Sequence, residues 1–405
     1  MPWNEVTVKE QRQNFIRDYR LGYYTVSDLA ESFGISRKTA YKWIDRWEEH
    51  GAEGLSDHSR RPRSSPWQTP EAIRKELLAV RGNKPHWGPT TVLNIVSRKH
   101  PRWDLPAVST TARIFSNAGL VESKGRGRRA HPGCPKHRAE ASNDIWAADY
   151  KGQFRLKNGQ YCYPLTVSDL HSRFLLGCDA HPRISLELTK AYFTQLFERY
   201  GLPNRIRTDN GVPFASNALA RLSELSVWWI SFGIYPELIE PGKPQQNGIH
   251  ERMHSTLKAE ATIPPSASLN AQQRRFDAFR AEFNQQRPHE ALAMRRPAEV
   301  YQPSPRTMPP TLPVYDYPLH FQVRRVSRAG TIRIHANQIF LTTTLKENHV
   351  GLEEVDDGIF DLFFCFYQIG RYDLRKNKVE DIITKVPLST RHDLEAPRVL
   401  PMSRE

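Results

Sequence analysis

What this chain lacks narrows it first. No stretch approaches the ~18 consecutive apolar residues of a membrane span. The N-terminus, Met1-Pro-Trp-Asn-Glu-Val, has no apolar signal core either. The expectation is a soluble intracellular protein with no membrane partner. Cysteine is scarce: Cys134, Cys162, Cys178 and Cys365 are the 4 among 405 residues, too few and too scattered for a disulfide framework. His131, Cys134 and His137 offer three zinc ligands, but structural zinc takes four and no fourth stands nearby, so that segment reads as a linker. Acid is short as well. Against 58 Lys and Arg there are 44 Asp and Glu, a net charge of +14, which favours a polyanionic partner. Hydrophobic residues still make up 39%, too many for a disordered chain, and the length implies about two to four domains.

Residues 8–50 read as three helices. The second spans Val26–Phe33 with Ser27 as its cap; Gly34 makes the turn and Ser36 caps the third. On that third helix Ala40, Ile44 and Trp47 fall at i, i+4 and i+7, a buried stripe. Arg37, Lys38, Thr39, Tyr41 and Lys42 are left near its beginning, where a recognition helix meets base edges and phosphates. Short helix, glycine turn and capped basic helix favour a helix-turn-helix over a plain helical hairpin. Arg60, Arg61 and Arg63 follow in a proline-bearing linker that can track a phosphate backbone. A second helical unit, with Ile73, Leu77, Val92, Ile95 and Val96 at its apolar positions, ends in a helix capped by Ser109 and closed by Gly119. It reads as another helix-turn-helix. Lys124, Arg126, Arg128, Arg129, Lys136 and Arg138 then run on without an intervening acid, suited to phosphate contact as much as to solvation.

From residue 142 the texture turns to strands: Ile145–Leu156, Tyr161–Ser168 and Phe174–Ala180, with Asn158-Gly159 a hairpin signal between the first two. A helix through Leu188, Tyr192 and Leu196 ends near Gly201. Asn204–Thr208 reads as a strand, Asn217–Val227 as a helix, and Trp229–Tyr235 as a further strand. Residues 269–286 form a polar helix after the break at Ile263–Ser268. The layout is a mixed sheet flanked by helices. Pro303–Pro313 is a linker. Leu319–Val326, Gly330–His335 and Phe360–Tyr367 read as strands of a small β-barrel.

Three carboxylates stand in contexts suited to holding a metal ion: Trp146-Ala-Ala-Asp149-Tyr150, Arg207-Thr-Asp209-Asn-Gly211 and Pro244-Gln-Gln-Asn-Gly-Ile-His-Glu251. Oxygen ligands of this kind suit Mg²⁺, and a pair of such ions serves phosphodiester chemistry. Asp209 ends a strand, where ligands collect in open α/β sheets. Asp169 competes for the first position, but Asp149 lies on the strand that opens the sheet, and Asp169 suits the turn before the third strand. Helical spacing gives Glu251 an apolar face of Ile249, Met253 and Thr256 or Leu257, opposite a face shared by Asn247, His254, Ser255 and Lys258. Lys258 and Asn247 then meet the substrate. His250 and His254 read as helix-surface histidines, since no His-Glu-x-x-His arrangement exists.

These motifs resemble those of insertion-sequence transposases of the retroviral-integrase superfamily, of the single-reading-frame type. Trp146-Ala-Ala-Asp149 resembles the first catalytic aspartate, Thr208-Asp-Asn-Gly211 the second, and Gly242-Lys-Pro-Gln-Gln-Asn-Gly-Ile-His-Glu251 with Lys258 the catalytic-glutamate helix. Phe283–Leu292 with Pro297–Tyr301 resembles the segment closing the catalytic domain, and Trp87-Gly88 with Ser109–Val121 the second helix-turn-helix. The resemblance spans about residues 8–302. It implies a multidomain chain: helix-turn-helix domains at 1–56 and 69–122 with a linker at 57–68, a basic linker at 123–141, an α/β RNase H-like catalytic core at 142–302, a linker at 303–313 and a β-barrel-like domain at 314–405. It implies two Mg²⁺ ions, replaceable by Mn²⁺, held by Asp149, Asp209 and Glu251. It further implies binding of terminal inverted repeats and target DNA, hydrolysis and strand transfer, and assembly as a dimer or larger on DNA. An ATPase partner for target choice is left open, and the location implied is the prokaryotic cytoplasm, on the nucleoid. Two other readings fit the same residues: a catalytically silent DNA-binding regulator descended from a transposase, and an RNase H-like nuclease. The interval between Asp209 and Glu251 is longer than is usual in the family, which an insertion around Val227–Glu240 would explain.

Overall fold

The computed structural model describes residues 7–57, 68–121, 137–240 and 243–382. Arg60, Arg61, Arg63, Arg126, Arg128 and Arg129 lie outside the described residues, as do His131 and Cys134. The chain divides into two compact units, Met1–Gln68 and Thr69–Glu405.

The first unit holds α1 (Val8–Arg20), α2 (Val26–Ser32) and α3 (Arg37–His50). Hydroxyl caps set the three starts. Thr7 with Glu10, and Thr25 with Asp28, form reciprocal capping boxes, and Ser36 accepts from the Thr39 amide. The cap of α2 is therefore Thr25 rather than Ser27, because only Thr25 has an acid three residues on to complete the box. Gly34 turns the chain between α2 and α3 at φ +63, a conformation that a side chain would strain. Phe15, Ile16, Leu29, Ala30, Ala40, Trp43, Ile44 and Leu55 close the core, while Trp47 packs at its edge.

The second unit begins with α4 (Glu71–Asn83), α5 (Pro89–Lys99) and α6 (Val108–Asn117), gathered around Ile73, Leu77, Trp87, Val92, Val96 and Phe115. Ala107 stands at the start of α6 without a side-chain cap, so Ser109 lies inside the first turn and does not cap it. These helices are tied to the domain that follows. Lys84 pairs with Glu282, Arg98 pairs with Glu299 at 3.0 Å, and Arg98 Nη2 donates to Met294 O at 3.1 Å.

That domain is a mixed sheet of β1 (Ile145–Tyr150), β2 (Phe154–Arg155), β3 (Tyr161–Asp169), β4 (Leu175–His181), β5 (Arg205–Thr208) and β6 (Tyr235–Leu238). β3 pairs antiparallel with β1, β2 and β4, while β1, β5 and β6 run parallel. On one face α7 (Leu186–Tyr200) and α8 (Glu224–Ser231) bury Phe193, Phe197, Leu225 and Trp229 against Trp146, Ala148 and Ile206. On the other, α9 (Gly248–Leu257) and α10 (Leu269–Gln285) bury Met253, Leu257, Phe276 and Phe279 against Cys162, Leu175 and Cys178. The short α11 (Pro297–Val300) follows. Two three-helix groups thus precede a mixed sheet covered by helices on both faces.

Three expectations shift. The helix expected at Asn217–Val227 is α8 at Glu224–Ser231, and the strand expected at Phe360–Tyr367 is broken by a turn at Cys365. The strand expected at Trp229–Tyr235 lies further along the chain. Trp229 is not in a strand; it lies inside α8, and the strand is β6, further on. The reason is that α8 is buried on both sides. Leu225, Trp228 and Trp229 enter the core beneath the sheet, while Val227 and Ile230 enter the core of the C-terminal domain. A run buried all round has no helical period to read. Residues 227–240 thus hold the end of α8 and all of β6.

The C-terminal domain is all β: β7 (Gln322–Arg325), β8 (Thr331–Ile334), β9 (Asn337–Phe340), β10 (His349–Asp356), β11 (Ile359–Phe364), β12 (Tyr367–Asp373) and β13 (Lys378–Asp381). Five form an antiparallel sheet in the order β13-β12-β11-β10-β7, and β8–β9 form a separate ribbon. Val326, Ile332, Ile339, Val350, Leu352, Phe360 and Leu362 share one core with α8. The 303–313 segment is strapped down rather than free: Leu202 N donates to Arg306 O at 2.7 Å, and the Arg306 guanidinium donates to Pro203 O, Phe232 O and Gly233 O. Among the described residues no helix is long and apolar enough to cross a membrane.

Candidate active site

The register of the sheet brings two of the three carboxylates together. β1 and β5 run parallel with Ala147 beside Arg207. Asp149 lies two residues further along β1 and Asp209 one residue past the end of β5, so both stand toward the carboxyl ends of the two strands. Asp149 lies opposite Thr166 of β3, and Thr166 carries the third element. Its Oγ1 donates to Asp149 O at 3.1 Å and stands 2.8 Å from His250 Nε2 and 2.6 Å from His254 Nε2. Ser168, two residues on and so on the same face, meets His250 Nδ1 at 2.7 Å. These contacts seat α9 on β3 and bring His254 Nδ1 to 3.6 Å from Asp149 Oδ2. Glu251 and Ser255 follow one another along the exposed side of the same helix, and Lys258 lies just past its end.

The buried face of α9 is therefore His250, Met253, His254 and Leu257, not Ile249, Met253 and Leu257. Ile249 is 39% exposed, and His254 turns away from Glu251 to the sheet. The two histidines are not surface residues. The strand beneath presents hydroxyls at Thr166 and Ser168, and imidazole fills the space while satisfying them. Burial pushes His250 well below the ordinary histidine range and, with Lys151 adding to it, pushes His254 down to about 3, so both are neutral.

Asp149 keeps 22% of its side chain exposed and is pushed up to about 7, first by burial and then by the charge of Asp209, with Glu251 adding less and Lys151 opposing. Asp149 thus stands in the field of both other carboxylates. Asp209 Oδ1 accepts from Gly211 N at 3.0 Å, and a Cβ on Gly211 would stand 3.0 Å from Asp209 Oδ2, so this turn wants glycine. Among the described residues no three His, Cys, Asp or Glu side chains converge as a metal-ligand set. The donor chemistry nevertheless fits a hard divalent cation: Asp149, Asp209 and Glu251 offer only oxygens, and the crowding that raises Asp149 is what a cation would relieve.

Asp169 does the work of a turn. It is wholly buried and accepts from Asn143 N, Ser172 N and Ser172 Oγ. Of the DNA-contact residues expected from sequence, Arg37, Lys38, Tyr41 and Lys42 are exposed at the start of α3, and Lys258 is exposed just past the end of α9. Thr39 is half-buried, its Oγ1 2.9 Å from Ser36 Oγ at the cap. Asn247 is buried at the entrance to α9, closed to a DNA contact in this arrangement. Sequence reasoning missed Thr166, Ser168 and Arg207. The Thr166-x-Ser168 alternation was the available signal, placing two hydroxyls on one face of a strand.

Models of known families match this arrangement segment by segment. A helix-turn-helix domain matches residues 11–63, a homeodomain-like domain 39–115, and two integrase core domain models 139–244 and 232–297. The chain therefore carries an integrase core behind helix-turn-helix domains. It is a homologue of insertion-element proteins. Over 284 residues it is 28% identical to the insertion element IS407 uncharacterized 31.7 kDa protein of Burkholderia multivorans, covering 68% of this chain and 93% of that one. Over 254 residues it is 27% identical to the insertion element IS476 uncharacterized 39.2 kDa protein of Xanthomonas euvesicatoria, covering 61% of this chain and 69% of the other. Among solved structures, the HTLV-2 integrase catalytic core domain in complex with magnesium matches at 18% identity and a TM-score of 0.33, covering 41% of this chain and all of that one.

Proposed function

We propose that this chain is a DNA transposase that binds the ends of a mobile element, cleaves them and joins them to target DNA. The observation that supports the reading is that β1 and β5 run parallel, with Asp149 and Asp209 toward their carboxyl ends, and that Asp149 feels the charges of both Asp209 and Glu251. Two divalent ions, Mg²⁺ with Mn²⁺ as a substitute, would be held by Asp149, Asp209 and Glu251 and would activate the attacking oxygen and stabilise the leaving one. Hydrolysis of a phosphodiester at the element's end frees a 3′-hydroxyl; that hydroxyl attacks a phosphodiester of the target, one bond forming as one breaks. No covalent protein intermediate is needed. The homology to insertion-element proteins supports this use of the site.

The remaining residues bind and orient. Arg37, Lys38, Tyr41 and Lys42 face solvent where a recognition helix meets DNA, and Lys258 offers a cation beside Glu251. Arg60, Arg61, Arg63, Arg126, Arg128 and Arg129 add phosphate contacts in this reading. In this reading the chain divides at 56, 68, 122, 141, 302 and 313, and the C-terminal strands form an all-β module packed on α8. Two ends joined in one event call for a dimer or larger assembly on DNA. The test is Asp149→Asn on a duplex carrying the element's end. Nicking falls by at least about 100-fold, the upper end of what losing even an outer partner of a metal ligand costs, while binding stays within twofold. Nicking at the wild-type rate would reject Asp149 as part of the site.

A further inference from the structure

Behind the carboxylates lies a buried charged network that the reaction does not use directly. Arg207 stands two residues before Asp209, and the β5–β6 register sets it opposite Glu237. Arg207 Nε donates to Glu237 Oε1 at 2.8 Å, and both side chains are almost wholly buried. The other two guanidinium nitrogens go elsewhere. Nη2 donates to His137 O at 2.7 Å, and Nη1 donates to Gln246 O at 3.3 Å. His137 Nδ1 returns to Glu237 Oε2 at 2.9 Å. Burial alone would raise Glu237, but His137 and Arg207 hold it below the ordinary carboxylate range. Gln246 extends the network: its Oε1 accepts from Glu240 N at 2.9 Å and its Nε2 donates to Glu240 Oε1 at 3.0 Å.

One side chain thus joins three separate segments. His137 belongs to the 123–141 stretch of the sequence, and Gln246 lies two residues before α9, which carries Glu251. We infer that Arg207 is a positioning residue: its fork fixes the entrance of α9 relative to Asp149 and Asp209, and it ties that entrance to the end of the basic segment. DNA held by the basic segment and the placement of Glu251 are then coupled through one guanidinium. A lysine would keep the charge opposite Glu237 but cannot reach three partners in fixed directions. Asp209 does not share this duty, since its carboxylate bonds its own turn. The coupling rests on the transposase reading; the structural part does not.

The test is Arg207→Lys in the full chain, read two ways. By hydrogen exchange, amides of 137–141 and 244–252 lose protection while those of α7 keep theirs. By kinetics on element-end duplex, kcat falls about 10- to 100-fold, as for outer partners of metal ligands, with KM for DNA within twofold. Unchanged exchange in both segments overturns the proposal, as does an equal loss of protection in α7, which would mark general loosening. A rise in KM at constant kcat overturns it too. Where Arg207→Lys does not fold, Glu237→Gln weakens the anchor that orients the guanidinium and is expected to loosen 137–141 and 244–252 and lower kcat in the same way; wild-type values there overturn the proposal. If the wild-type chain cuts no DNA, the transposase reading has failed, and the exchange measurement still decides the role of Arg207.

Discussion

Thr166 Oγ1 meets a strand carbonyl and two imidazoles at once: it donates to Asp149 O, with His250 Nε2 and His254 Nε2 within 2.8 Å. Replacing it with valine keeps the shape and removes the hydroxyl, leaving buried polar atoms without a partner. Such a loss costs about 1–3 kcal/mol, to be read as a lowered midpoint of urea unfolding; a change under about 0.5 kcal/mol would mean that α9 does not depend on this contact. A second residue predicts a pH effect. His289 packs against Phe283 and is pushed down to about 4 by burial, with Arg287 and Arg173 adding to it. In the unfolded chain it titrates near its ordinary value of 6.5, so between about 6.5 and about 4 the unfolded state binds more protons, and stability falls as pH falls. His289→Gln should flatten the dependence of Tm on pH over that window; an unchanged slope would exclude this histidine as its source. Asp149, Asp209 and Glu251 stand out in the sequence as candidates because each lies in a short, distinctive context. The roles of His250 and His254 were not. Spacing of i, i+4 says that two side chains share a face, but which face is decided by hydroxyls on a strand more than 80 residues earlier.

At the scale of elements, α3 was readable through its Ser36 cap and apolar stripe, α7 through its apolar stripe up to Gly201, and α10 as a polar helix after the break at 263–268. The β2–β3 hairpin was readable as well, through Asn158-Gly159, with Gly159 at φ +84. α8 was not, because its two faces belong to two cores and its sequence shows no polar side. This sharing has a consequence. A chain ending at residue 313 would uncover Val227, Ile230 and Leu222, which otherwise pack with the C-terminal strands. Exposed apolar patches of this kind drive association. The shortened chain should therefore bind a hydrophobic dye strongly and aggregate, whereas a compact, dye-silent product would show that the catalytic domain closes its own surface. The strapping of residues 303–313 through Arg306 escaped sequence reading for a related reason: proline-rich composition reports local stiffness and says nothing of the carbonyls that an arginine will find.

For the molecule as a whole, a net charge of +14, helix-turn-helix domains matched at 11–63 and 39–115, and an integrase core matched from 139 to 297 across two models point one way. The order of these parts was legible because each has its own texture: capped basic helices, then strands with carboxylates, then short strands after a proline-rich stretch. The open pairing of the last sheet, from β13 to β7 with β8–β9 apart, was not legible, since alternation marks strands without saying which edges meet. The central claim is that Asp149, Asp209 and Glu251 act as one site for both cutting and joining. Its most direct test is strand cleavage and strand joining by wild type and Glu251→Gln, in Mg²⁺ and in Mn²⁺, on a duplex carrying the element's end. The account predicts that wild type nicks the end and joins it to target DNA, while the variant binds the same duplex and does neither with either ion. A variant that still joins ends would contradict it.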